Sequence, residues 1–166
     1  WSTEPMTPEE IARLPYRPCV GVMLVNAEGS VFTGQRLDRD TDAWQMPQGG
    51  IDEGEDPREA LFRELWEETG VTRDKIAVIG QTREPLRYDL PDELIGKLWG
   101  GHYRGQEQDW FLARFEGTDD DVNLEAHEHP EFCEYRWVTA STVPDLIVPF
   151  KKRVYRSVVA EFAELI

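Results

Sequence analysis

The 166-residue chain predicts a mixed α/β fold in one domain, and three observations carry that expectation. An almost unbroken apolar run, PCVGVMLVN (18–26), has the composition of a buried strand. The segment from Pro57 to Thr69 is bounded by helix start and stop signals. Phe150, Val154, Val158 and Phe162 recur every four residues, marking a closing amphipathic helix from about Pro149. Strands and helices interleave between these landmarks without a regular βαβ repeat, so periodicity alone goes no further than mixed α/β.

Residues 1–15 are expected as a poorly ordered extension ahead of a domain spanning 16–166. The strand at 18–26 ends at the Glu28-Gly29 turn, and SVFTGQR (30–36) is expected to return beside it as a hairpin. A loop around RDTDA leads into WQMPQGG, where Trp44 packs and Pro47 shapes a turn. Asp56 is the expected N-cap of the next helix, with Pro57 at its first position and Glu59 completing a capping box. Gly70 suits a left-handed C-cap, and Leu61 and Leu65 form an apolar pair for the core. KIAVIGQTRE (75–84) reads as a strand. The stretch 85–106 is irregular and rich in glycine and aromatics, long enough for a connection to suggest that it covers a ligand. DWFLARFE (109–116) and FCEYRWV (132–138) read as strands flanking the polar loop TDDDVNLEAHEHPE.

Composition bounds the function. A net charge of −15 argues against a broad surface for long nucleic acids, though not against a small polyphosphate or one end of an RNA. No apolar run approaches the roughly 20 residues needed to span a bilayer, and no basic-then-apolar segment suggests secretion. Cys19 and Cys133 have neither zinc-site nor disulfide spacing, and both are expected as core thiols in a reducing cytoplasm.

The helix after Asp56 carries the chemistry. Glu64, Glu67 and Glu68, at i, i+3 and i+4, share one side. The like charges of Glu64 and Glu68 cost roughly 0.2–0.5 kcal/mol in a bare helix, and late carboxylates oppose the helix macrodipole. Glu59–Arg63 and Arg63–Glu67 pairs are expected to offset part of this, with Arg63 orienting the cluster. Hard oxygen ligands of this kind suit magnesium, or manganese as a substitute. A solvated acidic face is the other reading of the same spacing. The paired Gly49 and Gly50, the capped helix and the position of Glu55 favour metal.

Gly49, Glu55, Arg63, Glu64, Leu65, Glu67, Glu68, Gly70 and Val71 together resemble the Nudix box, Gly-x5-Glu-x7-Arg-Glu-U-x-Glu-Glu-x-Gly-U with U aliphatic, at all nine positions. The resemblance implies an α/β/α sandwich with a mixed sheet, and hydrolysis of nucleoside diphosphates linked to another group. It implies Mg2+ (Mn2+ as substitute) held by Glu64, Glu67, Glu68 and a backbone carbonyl near Gly49. Glu131, in the Pro-Glu-Phe turn, becomes a fourth carboxylate that binds metal or takes the proton from water. Arg17, Arg36 and Lys151 match positions that contact phosphate or base; solvated surface charge is the plainer reading of the two arginines. Tyr88 matches a base-stacking aromatic flanked by Val148 and Phe150, for which a core role is the alternative.

YRPCVGV (16–22), LRYDLP (86–91), GQEQDWF (105–111), PEF (130–132) and FKKRVY (150–155) extend the resemblance to about residues 15–160. They are similar to the subgroup of asymmetric diadenosine tetraphosphate hydrolases and bacterial RNA 5′-pyrophosphohydrolases. The insert KLWGGHYRG (97–105) leans toward the dinucleoside polyphosphate members. The first expectation is therefore cleavage of diadenosine tetraphosphate to ATP and AMP, with RNA 5′-pyrophosphohydrolysis as the alternative. A non-catalytic nucleotide-binding module is a further alternative, disfavoured because all box glutamates are present, and a sugar-nucleotide hydrolase fits the flanking segments poorly. Asp109 stands where such relatives often carry a basic residue. His127 and His129 read as loop residues rather than zinc ligands. The expected partners are a dinucleoside polyphosphate or a triphosphorylated RNA end, with no membrane, for a cytoplasmic monomer or weak homo-oligomer.

Overall fold

Two strands bury both of their faces, and the fold is organised around them. In the computed structural model, which describes residues 6–37, 42–91, 93–95 and 101–166, β1 (Tyr16–Val25) lies parallel to β7 (Gly105–Phe115) along ten residue pairs, from Tyr16–Gly105 to Val25–Arg114. Side chains of a strand alternate between faces. Val20, Val22 and Leu24 of β1, with Phe111, Ala113 and Phe115 of β7, join one apolar cluster. Met23 and Val25, with Trp110 and Leu112, join the other. Helix α2 (Pro57–Thr69) covers the first face through Ala60, Leu61 and Leu65. The short α3 (Val143–Leu146) and the longer α4 (Lys152–Phe162) cover the second through Val143, Val154, Tyr155, Val158 and Phe162. The result is an α/β/α sandwich on a mixed sheet.

Strand β2 is Val31–Arg36, β3 Trp44–Gln45, β4 Gln48–Gly50, β5 Ile76–Gln81, β6 Leu86–Asp89 and β8 Phe132–Val138. The sheet order is β3-β2-β1-β7-β5, with β4 on β1, β6 on β7 and β8 on β2. The expected hairpin is present, with Val25 paired to Val31; the long ladder of β2 runs instead with β8, from Val31–Val138 to Arg36–Phe132. Where β1 leaves β2 it pairs with β4, so Gly49 faces Val20. This divergence opens the sheet where α2 passes, and the functional residues collect there.

Several local expectations change. Residues 6–15 include a helix, α1 (Pro8–Ala12), capped by the Thr7 side chain, and Arg104 N donates to Pro15 O at 3.0 Å; residues 1–5 lie outside the described residues. Part of the irregular 85–106 stretch is strand β6, and β7 begins four residues before the expected 109. Residues 97–100 of the insert lie outside the described residues. Cys19 is buried, but Cys133 is exposed because it sits on the outward side of β8. Among the described residues no helix is long and apolar enough to cross a membrane.

Candidate active site

Helix α2 starts and stops as its sequence dictates. The Asp56 side chain accepts from Arg58 N at 3.1 Å, Pro57 follows it, and Gly70 adopts φ 75° with its N–H on Trp66 O. Glu59, expected in a capping box and on Arg63, instead pairs with Arg73 at 2.5 Å. With these ends fixed, Glu64 and Glu68 point toward the sheet and are buried. The loop before β8 brings in Glu131, and ligand-capable oxygens of Glu64, Glu68 and Glu131 lie within 4.8 Å of one another. Among the described residues this is the one such group, and it contains no histidine. His127 lies edge-on to Trp66 at 5.7 Å, in the loop as expected.

The cluster is electrostatically uncomfortable without a cation. Glu68 is fully buried, and neither carboxylate oxygen has a hydrogen-bond partner. Burial first, then the charges of Glu131 and Glu64, push its carboxyl well above the usual range. Burial raises Glu64 to about 7 against the opposing pull of Arg63, with Glu67 and Glu131 adding to the rise. A wholly desolvated carboxylate beside two others fits a divalent cation.

The sign of these shifts fixes a stability prediction for chelated protein. A raised folded pKa gives stability that is complete below the unfolded value and lost as pH climbs through the folded one. Glu64 therefore withdraws stability from about pH 4.5 to about 7, and Glu68 continues the trend upward. In chelator the melting temperature should fall between pH 5.5 and 8.5, and saturating divalent cation should reverse the fall. Calorimetry at the two pH values checks this; a rise with pH in chelator would contradict it.

Arg63 holds the cluster together. Its Nε and Nη2 donate to the two oxygens of Glu55, both at 2.9 Å; Nη2 also donates to Gly50 O at 2.9 Å. Nη1 donates to Glu64 at 2.8 Å and Glu67 at 3.3 Å. All five guanidinium hydrogens are thereby directed at protein acceptors, so Arg63 orients the glutamates rather than touching substrate. The same fork, with the Asp52 N–H, holds Glu55 down at about 2. Lysine has three donors in place of five, so Arg63→Lys should lose roughly 2–4 kcal/mol and melt about 5–10 °C lower. Thermal unfolding of the metal-free variant reads this directly.

A cleft of about 260 Å³ opens beside the carboxylates, lined by Arg17, Arg36 and Lys151 together with Gln48, Gly49, Gly50, Glu64, Gln106 and Glu131. Three cations and two carboxylates thus share one small space. A Cβ at Gly49 would overlap the Glu64 carboxylate, so glycine is what leaves that side chain in its place. At Gly50 a Cβ would come within 2.6 Å of Arg17 Nη2.

Not every expected residue reaches this cleft. Glu67 stands at the rim on Arg63, its side chain 25% exposed, outside the three-carboxylate group. Tyr88 is only 3% exposed, packed on Phe150 at 5.6 Å with Lys151 Nζ 5.4 Å from its ring centre, so it belongs to the core. Phe150 is half-buried, and Val148 lines a neighbouring groove with Trp44 and Arg136. Asp109 is on the α2 face of β7, away from the cleft wall, and burial raises its carboxyl. Gln48 and Gln106 were not singled out by the sequence reading. For Gln106 the signal is the pair Gln106 and Gln108, two residues apart and buried on the face of β7 that continues into Trp110 and Leu112.

Residues 15–158 match the family model described as the NUDIX domain. A protein of Novosphingobium aromaticivorans named RNA pyrophosphohydrolase is 62% identical over 159 residues, covering 95% of this chain and 99% of its own length. A protein of Roseobacter denitrificans with the same name is 60% identical, covering 95% and 98%. Among solved structures, a C. elegans Ap4A hydrolase binary complex aligns with TM-score 0.64 at 20% identity, over 89% of this chain and 98% of that one. The E. coli dihydroneopterin triphosphate pyrophosphohydrolase aligns with TM-score 0.68 at 19% identity, over 89% and 99%. At such identities the structural likeness concerns the fold alone.

Proposed function

The chain belongs to the NUDIX family, and from that premise we propose that it hydrolyses the 5′-triphosphate end of RNA to a 5′-monophosphate, releasing pyrophosphate or phosphate in steps. The observation that carries the chemistry is the cleft in which Glu64, Glu68 and Glu131 meet Arg17, Arg36 and Lys151. The substrate class comes from relatives at 60–62% identity that bear the name RNA pyrophosphohydrolase and match this chain over nearly their whole length. Diadenosine tetraphosphate, the first expectation from sequence, rests on a structural neighbour at 20% identity and takes second place.

Family membership carries dependence on a divalent cation, and the partnerless Glu68 supports it here. We assign Mg2+, with Mn2+ as substitute, to Glu64, Glu68 and Glu131, with Glu67 and the Gly49 backbone at the edge. When bound, the cation lowers the pKa of water and neutralises charge on the leaving phosphate. Glu131 lines the cleft and is the better placed of the expected bases to accept the proton of attacking water, because Glu67 is engaged by Arg63. Arg17, Arg36 and Lys151 bind the triphosphate oxygens and set the phosphorus in line for displacement. Residues 16–166 form the hydrolase unit, working in the cytoplasm as a monomer or weak homo-oligomer. A net charge of −15 restricts contact to the RNA end.

Product analysis tests this reading. A short 5′-triphosphorylated RNA incubated with protein and Mg2+ should yield monophosphate ends with pyrophosphate or phosphate, Mn2+ should substitute, and chelator should stop the reaction. Absence of product with either metal would return the chain to the nucleotide-binding alternative.

A further inference from the structure

Beneath the cleft, four side chains form a directional hydrogen-bond relay that the catalytic account does not use. Trp110 Nε1 bonds to Gln108 Oε1 at 2.8 Å. Gln108 Nε2 bonds to Gln48 Oε1 at 2.8 Å and to Gln106 Oε1 at 2.7 Å. Trp110 is wholly buried, and Gln106 and Gln108 are each 2% exposed. Gln48 and Gln106 also line the cleft, alongside Arg17 and Lys151.

The direction of the relay follows from chemistry. An indole N–H can only donate, so the Gln108 atom facing it must be the oxygen. The Gln108 amide nitrogen then has two hydrogens to give, and both neighbours must present oxygens to receive them. Each of those amides is left with its NH2 group on the side away from Gln108. A flip of either would set nitrogen against nitrogen in a buried place, at the full price of unsatisfied donors.

We propose that Trp110, acting through Gln108, turns the amide nitrogens of Gln48 and Gln106 toward the cleft, where they donate to oxygens of the substrate's phosphate chain. Gln48 and Gln106 are substrate-binding residues in this account; Gln108 and Trp110 are positioning residues. The arrangement has a physical purpose in an acidic protein. Neutral donors bind phosphate oxygens without competing with the cations for Glu64 and Glu131, and a locked amide presents a donor rather than a repelling oxygen. This deepens the polyphosphate reading of the cleft and rests on it, although not on which nucleotide or RNA bears the phosphates.

Inorganic triphosphate, as a competitive inhibitor, supplies a probe that is indifferent to the organic part of the substrate. Gln106→Met and Gln108→Met are neutral and similar in length, so neither adds charge to the site. Each should raise the inhibition constant about three- to tenfold, the range of one or two neutral hydrogen bonds. The melting-temperature rise on adding metal should remain, because the carboxylates are untouched. The double variant should fall short of the product of the single effects, since Gln108 acts through Gln106. An unchanged inhibition constant in folded Gln108→Met, or fully multiplicative effects, would overturn the relay. Should Gln108→Met fail to fold, Trp110→Phe removes the indole donor while keeping a ring, and an unchanged constant there would overturn it equally. If the enzyme prefers dinucleotide to RNA, the RNA reading falls while these inhibition constants still decide the relay.

Discussion

Glu68→Gln should lower kcat by on the order of a thousandfold while leaving the metal-free protein at least as stable as the wild type. Activity falls because a neutral amide replaces a buried carboxylate whose oxygens have no hydrogen-bond partner, and the cation loses a buried ligand. Stability moves the other way because of that same isolation. Burial and the charges of Glu131 and Glu64 push the Glu68 carboxyl well above its usual range, so the cost of ionising it grows as pH rises. The melting-temperature advantage of the variant over the wild type in chelator should therefore widen from pH 6 to pH 9, and a narrowing would contradict the account. The metal-induced rise in melting temperature should shrink strongly in the variant. Steady-state kinetics with calorimetry in chelator at the two pH values measures both sides. Wild-type turnover would remove Glu68 from the metal site.

Gly49→Ala has the second largest expected effect, and it acts without changing any charge. The added methyl would occupy the space of the Glu64 carboxylate, which Arg63 holds at 2.8 Å. A side-chain end can move, so the fold should survive; here the moving end is a metal ligand. We expect a loss of at least about a hundredfold in kcat/KM, with weaker metal binding and unchanged secondary structure by circular dichroism. Retention of wild-type metal affinity would show that Glu64 does not need the place it occupies.

Much of this site was legible in the sequence because its signals are local. Asp56, Pro57 and Gly70 fix the ends of α2, and a helix of known ends places Glu64, Glu67 and Glu68 by geometry alone. The pattern of nine residues named the family. Partnerships across the chain were less legible. Nothing local distinguishes Arg63–Glu55 from Arg63–Glu59, because both separations suit a long side chain and the loop that carries Glu55 decides. Strand pairing was similarly hidden: two apolar strands do not announce that β1 runs parallel to β7 rather than mainly beside β2. Tyr88 was read as a stacking platform from its motif, and β6, which buries it, lay inside a stretch read as irregular. The relay through Gln108 needed Gln48 of β4 brought against three residues of β7, which no local window of sequence contains.

The most direct test of the central claim compares two substrates in one assay. With Mg2+ present, kcat/KM should be measured for a short 5′-triphosphorylated RNA and for diadenosine tetraphosphate. The account predicts at least about a tenfold preference for the RNA, abolished for both substrates by Glu68→Gln. A clear preference for the dinucleotide would contradict it, and would make this acidic cleft the site of a dinucleoside polyphosphate hydrolase.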